Sequence, residues 1–230
     1  MSPYGWGPLY RNPLTPIVEK FDFGRVCAQE GPEFFVCATQ VRDGKIRVFS
    51  GERITTGAIV ASACLPTLFQ AVEVEDPETG NSEAFWDGGY TGNPALFPLF
   101  EPALPPDIVV VNINPLHRDQ LPRTPTEIQN RINEISFNSS LLRELRAIDF
   151  VQRLLDDGKM EEGAMKRPLI HMIADDGLMN DLSVATKMVA VPSVIAQLKE
   201  AGRRAAGAFL RDHKGQIGVE QSADLRAMFE

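Results

Sequence analysis

The run Ile108-Val109-Val110-Val111, inside residues 107–114, constrains the fold more than any other segment. Four consecutive β-branched apolar residues do not alternate between core and solvent, so the run reads as a strand buried on both faces, hence central and parallel. A parallel neighbour requires a crossover, usually a helix. Thr124-Pro125-Thr126-Glu127 signals that helix, with the spacing of a capping box and proline at the first helical position. Ile128, Ile132, Ile135, Leu142, Leu145 and Ile148 continue it at helical spacing to a stop near Gly158. Such a helix could exceed thirty residues, or break near Asn138-Ser139-Ser140. A second apolar strand is expected over 168–174 and an alanine-rich helix over 193–213. Strands and helices thus alternate, and the expected class is α/β with crossover helices.

The first half of the chain reads differently. Residues 33–41 and 45–50 read as strands joined by the tight turn Arg42-Asp43-Gly44. Residues 70–75 and 82–86 flank Asp76-Pro77-Glu78-Thr79-Gly80 as a second hairpin. Between the hairpins, Gly57-Ala58-Ile59-Val60-Ala61-Ser62-Ala63-Cys64 forms a helix of small residues ended by Pro66, and small side chains let a helix approach its neighbour closely. Residues 1–12, crowded with Gly, Pro and aromatics, read as an irregular surface stretch followed by a short helix over 14–21. About 214–230 reads as a poorly specified tail. Neither an internal repeat nor a second domain boundary stands out, so 1–230 is expected to be one domain.

The 23 basic and 31 acidic residues leave a net charge of -8, which argues against a nucleic-acid partner. No apolar run approaches the roughly 20 residues of a membrane helix, and the N-terminus lacks the basic and apolar regions of a signal peptide. A soluble, cytoplasmic protein is expected. Cys27, Cys37 and Cys64 lie in apolar segments without metal-ligand spacing and read as reduced core residues. Asp175-Asp176-Gly177 reads as a turn; no metal site and no cofactor site is expected.

Phe85-Trp86-Asp87-Gly88-Gly89-Tyr90-Thr91-Gly92-Asn93-Pro94 places an acid at the end of a strand, on a glycine pair. The glycines suit a turn with positive φ angles, and the aromatic neighbours suit partial desolvation of the carboxyl. Two roles follow: a general base in a cleft, or an aspartate that bonds the amides of its own turn. The residues alone leave both open. A partner nucleophile is missing: no serine lies in a G-x-S-x-G turn. Ser62 reads as a helix-packing residue, Ser50-Gly51 and Ser139-Ser140 lack a strand-to-helix elbow, and His117, His171 and His213 read as structural.

The pair formed by Thr56 to Pro66, with Phe69, and the later Phe85-Trp86-Asp87-Gly88-Gly89 with Asn93-Pro94 resembles the patatin-like acyl hydrolases and phospholipases. The likeness extends from the aromatic opening to the helix near Phe209. It implies part of a three-layer α/β/α domain with a central, mainly parallel sheet, and a serine-aspartate dyad without histidine. Asp87 is the residue the resemblance makes catalytic, with Gly88, Gly89 and Asn93 supporting its motif. The family's serine elbow and oxyanion loop precede everything matched here, so the chain is expected to be the C-terminal part of such a domain and inactive alone. Lipid or another ester is the implied substrate, with peripheral membrane contact and self-association through an incomplete sheet as further expectations. A non-catalytic remnant that binds lipid or a partner protein is the alternative.

Overall fold

A computed structural model describes residues 2–26, 31–161, 163–182 and 191–230. The chain divides into two compact units, Met1–Ala95 and Leu96–Glu230, and combines helices with one antiparallel and one parallel sheet, a mixed α/β architecture.

In the first unit the opening residues form 3₁₀ turns over Pro3–Leu9, tied down where the hydroxyl oxygens of Tyr10 and Tyr4 accept the amides of Gln70 and Ala71. Two short helices follow, α1 (Thr15–Val18) and α2 (Phe23–Val26). Both expected hairpins are present: β1 (Phe35–Gln40) with β2 (Ile46–Ser50), and β3 (Val72–Glu75) with β4 (Ser82–Asp87). Gly44 and Gly80, at φ 68° and 72°, take the left-handed conformation that closes each turn. The strands lie in the order β2-β1-β4-β3, every pairing antiparallel because hairpins, not crossovers, supply the neighbours.

Alternation along the strands buries Val36, Ala38, Phe49 and Phe85 on one face. Helix α3 (Thr56–Ser62) packs Ala58 and Ala61 into the same cluster, where Phe49 and Phe85 meet edge-on with centroids 5.7 Å apart. The small residues of α3 therefore do what their sequence suggested. A buried polar link joins the two hairpins: Arg47 Nε donates to Asp76 Oδ2 at 2.9 Å and Nη2 to Gln40 Oε1 at 2.8 Å.

In the second unit, β5 (Asp107–Asn112), α4 (Pro125–Asp156) and β6 (Leu169–Ala174) build the expected parallel βαβ crossover, in register from Asp107↔Leu169 to Asn112↔Ala174. Ile108, Val110 and Ile170 pack against Leu141, Leu145 and Ile148. The capping box at Thr124 and Glu127 forms with both reciprocal bonds. Helix α4 runs through Asn138-Ser139-Ser140 without a break. At 32 residues it is about 48 Å long, against about 20 Å for a six-residue strand, so its first turns overhang the sheet. Ile128, Ile132 and Ile135 on those turns are exposed.

Burial of β5 on both faces is not observed. Val109 is 43% and Val111 66% exposed, because α4 covers only the face that carries Ile108 and Val110. Parallel pairing is confined, among the described residues, to β5 and β6.

After β6 come α5 (Asp176–Asp181), α6 (Pro192–Asp212) and α7 (Leu225–Phe229). The last residues, weakly specified by their own pattern, are held by tertiary contacts. Gly218 N–H donates to Asp107 Oδ1 at 2.8 Å, Ala223 N–H to the Ile170 carbonyl at 3.0 Å, and Leu225 enters the core beside Leu141 and Leu145. Nearby, the Lys166 ammonium donates to the carbonyls of Leu99, Glu101 and Leu104 at 2.8, 2.8 and 2.9 Å, fixing the segment before β5.

Candidate functional site

Asp87 ends β4, opposite Ala38 of β1. Its backbone is held from two sides. Its N–H donates to the Cys64 carbonyl at 2.9 Å, just past α3, and its carbonyl accepts the Thr39 hydroxyl of β1 at 2.8 Å. Thr39 Oγ1 also lies 2.8 Å from Thr91 Oγ1. A 3₁₀ turn over Gly88–Tyr90 follows, closed by Thr91 and Gly92 amides on the Gly88 carbonyl.

The glycine pair serves a purpose other than the one its sequence suggested. Neither Gly88 nor Gly89 has a positive φ. Gly88 is needed for space: a Cβ there would overlap the Cys37 carbonyl oxygen and stand 2.7 Å from the carbonyl carbon. The turn thus lies flush against β1 at Cys37.

One carboxylate oxygen, Oδ1, accepts the Gly89 N–H at 2.8 Å, so Asp87 does bond its own turn. Burial raises the Asp87 carboxyl above its ordinary 3.8, opposed by that amide. The Tyr90 phenol is also raised, by burial first and then by the charge of Asp87. The Cys64 thiol is pushed up to about 11, again by burial and then by Asp87, and it donates to the Gln70 carbonyl at 3.1 Å. A thiol so held stays protonated near neutrality and is no nucleophile. Cys37 is half-buried, while Cys27 lies outside the described residues. Phe85 spends its ring in the core, and Asn93 precedes the cis peptide to Pro94.

Each serine considered from the sequence is placed away from such chemistry. Ser62 donates to the Ile59 carbonyl at 2.8 Å within α3, and Ser139 to the Ser136 carbonyl within α4. Ser50 is exposed at a strand end. His117 pairs with Asp119 on the surface, and His213 bonds Gln216 at the end of α6. Asp175 caps α5 by accepting the Leu178 N–H. Among the described residues no group of three or more His, Cys, Asp or Glu is arranged to hold a metal ion.

One constellation escapes sequence reading. In the second unit His171 Nδ1 lies 2.9 Å from Ser222 Oγ and Nε2 lies 3.0 Å from Asp107 Oδ1. These residue types are those of a hydrolytic triad, but the imidazole is reversed, since in such triads the serine meets Nε2 and the acid Nδ1. His171 is fully buried against Phe209, and Ser222 sits beside Ala223, which is bonded back to β6. The arrangement fastens the C-terminal segment to the ends of β5 and β6. No local motif announces it, because the three residues lie in three separate segments.

A scan of the chain against protein-family models matches no family, and a search of the curated proteins finds no match.

Proposed function

We propose that this chain is the C-terminal part of a patatin-like serine acyl hydrolase, in which Asp87 is the base of a serine-aspartate dyad acting on lipid or other carboxylic esters. The observation that carries the reading is the state of the Asp87 carboxyl: partly buried, anchored through Oδ1 to Gly89, on a turn fixed to β1. Anchoring one oxygen leaves Oδ2 as the atom for proton transfer. In the mechanism, Asp87 accepts the proton of a serine carried by a preceding region as the hydroxyl adds to the ester carbonyl. The proton passes to the departing alcohol, leaving an acyl-enzyme; Asp87 then deprotonates water, which releases the acid and restores the serine. Backbone amides of an oxyanion loop in the same preceding region stabilise the tetrahedral charge. The role is one of lipid metabolism in the cytoplasm, with peripheral contact to membranes and no cofactor. No described helix is long and apolar enough to cross a membrane. The fold belonging to this reading is a three-layer α/β/α domain with a mainly parallel sheet, and the bare Val109 and Val111 support the layer that would cover the open face of β5.

The test is Asp87→Asn in the protein that includes the serine-bearing region, assayed on p-nitrophenyl butyrate. Loss of about 10²- to 10⁴-fold in kcat is expected, the usual contribution of a positioned base. Retained turnover removes Asp87 from the mechanism. The variant should stay folded, because asparagine keeps the oxygen that accepts the Gly89 amide. A carboxyl whose pKa is raised on folding adds stability below its unfolded value, and that stability is lost as pH rises through the folded value. Asparagine has no such loss. Its melting temperature at pH 7 should equal or exceed that of the parent, with the difference shrinking as the pH is lowered.

A second reading, a non-catalytic protein that binds lipid or a partner, draws on the exposed Val109, Val111 and Ile113. Under either reading the 230-residue chain by itself should show no labelling by a fluorophosphonate, while the complete enzyme of the first reading labels at its serine. The same exposed face predicts self-association, and sedimentation velocity should show oligomers; a monodisperse monomer would count against it.

A further inference from the structure

Thr39 is a buried residue near the C-terminal end of β1, a central strand, 5% exposed, where valine has nearly the same shape. Its hydroxyl needs partners to be tolerated there. Both partners belong to the turn that carries Asp87: the Asp87 carbonyl and Thr91 Oγ1, each at 2.8 Å. Thr39 has one hydroxyl hydrogen, and the carbonyl can only accept it, so Thr91 is the donor in the contact between the two threonines. The order Thr91 to Thr39 to Asp87 carbonyl therefore spans the turn on its β1 side, while the Cys64 carbonyl holds the Asp87 amide on the other.

We infer that Thr39, supported by Thr91, is the positioning residue for the acid at Asp87, fixing the height and direction of its carboxylate through the backbone. The inference rests on the reading of Asp87 as a base. Thr39 touches no substrate. It restricts the peptide from which the carboxylate projects, and proton transfer is sensitive to that placement because the acceptor must lie within hydrogen-bond reach of the serine hydroxyl.

Thr39→Val removes the hydroxyl and keeps a β-branched side chain of similar shape. In the complete enzyme, with active serines counted by stoichiometric fluorophosphonate labelling, kcat for p-nitrophenyl butyrate should fall about 10- to 100-fold per labelled site. KM should stay within about twofold, because substrate binding is untouched. Thr39→Ser should recover most of the rate. A residue that only stabilised the fold would lower the number of labelled sites without changing turnover at each. Should Thr39→Val fail to fold, Thr91→Val breaks the same hydroxyl pair from outside the sheet and is expected to lower kcat in the same sense. Unchanged kcat per labelled site in the folded variant, or a loss confined to KM, overturns the inference. Asp87→Asn separates the two levels: if that variant is inactive and Thr39→Val is not, only the positioning role falls, whereas full activity in Asp87→Asn removes the base itself.

Discussion

Asp76→Ala is expected to destabilise the first unit by about 3–5 kcal/mol, the usual consequence of removing one partner from a buried ion pair. Asp76 has no exposed surface and uses both oxygens. Oδ1 accepts the amides of Glu78 and Thr79 at 2.7 and 3.1 Å, shaping the β3–β4 turn, and Oδ2 accepts Arg47 Nε. Alanine leaves two turn amides without an acceptor and a charged arginine that is only 5% exposed, with Gln40, the Ile46 carbonyl and the more exposed Asp43 and Glu78 as remaining partners. The measurement is hydrogen exchange of the β1 and β4 amides, which reports on this unit separately. Protection should fall by about two to three and a half orders of magnitude, as each 1.4 kcal/mol is a factor of ten. A companion variant removes both charges, Arg47→Met with Asp76→Leu, and should recover much of the loss, because two buried charges are replaced together. A loss below about 1 kcal/mol for Asp76→Ala would show that water or Glu78 compensates the guanidinium.

The hairpins were legible because their turns carry local chemistry: Asp43-Gly44 and Asp76 to Gly80 close by short-range bonds with a left-handed glycine in each. The capping box of α4 was legible for the same reason, since Thr124 and Glu127 need only each other's backbone. Partner-dependent features were not. Whether Val109 and Val111 are covered depends on what lies over β5, and the apolar run specifies only that they are suited to burial. The ordered C-terminal segment depends on Asp107, Ile170 and His171, which lie far upstream, so its own residues give no period to read. At the candidate site, the motif located Asp87, but not the Thr39 hydroxyl that bonds its carbonyl, because a single threonine in a strand has the ordinary reading of a β-former.

Gly88→Ala should be the most damaging single-methyl change at the site, and it separates space from backbone freedom as the reason for the glycine. If positive φ were the requirement, alanine would be strained by its own backbone; Gly88 has no positive φ, so its native conformation is one alanine can adopt. The obstacle is β1. The added methyl would overlap the Cys37 carbonyl oxygen and lie 3.2 Å from the Cys37 Cβ. Strand β1 is paired on both edges, to β2 and to β4, so the carbonyl has little freedom to retreat. The turn must lift instead, stretching the bond from Thr39 to Asp87 and moving the carboxylate with it. A destabilisation of about 1–3 kcal/mol is expected from overpacking, together with about a 100-fold loss of turnover in the complete enzyme if the carboxylate shifts by an ångström. Gly57→Ala is the comparison. Its methyl would meet Val74 Cγ1, the end of a side chain on β3, which can rotate or yield where a paired backbone cannot. Gly57→Ala should therefore destabilise less and leave turnover near that of the parent. Equal damage from the two substitutions, in thermal melts and in turnover, would place the requirement at Gly88 somewhere other than its contact with β1.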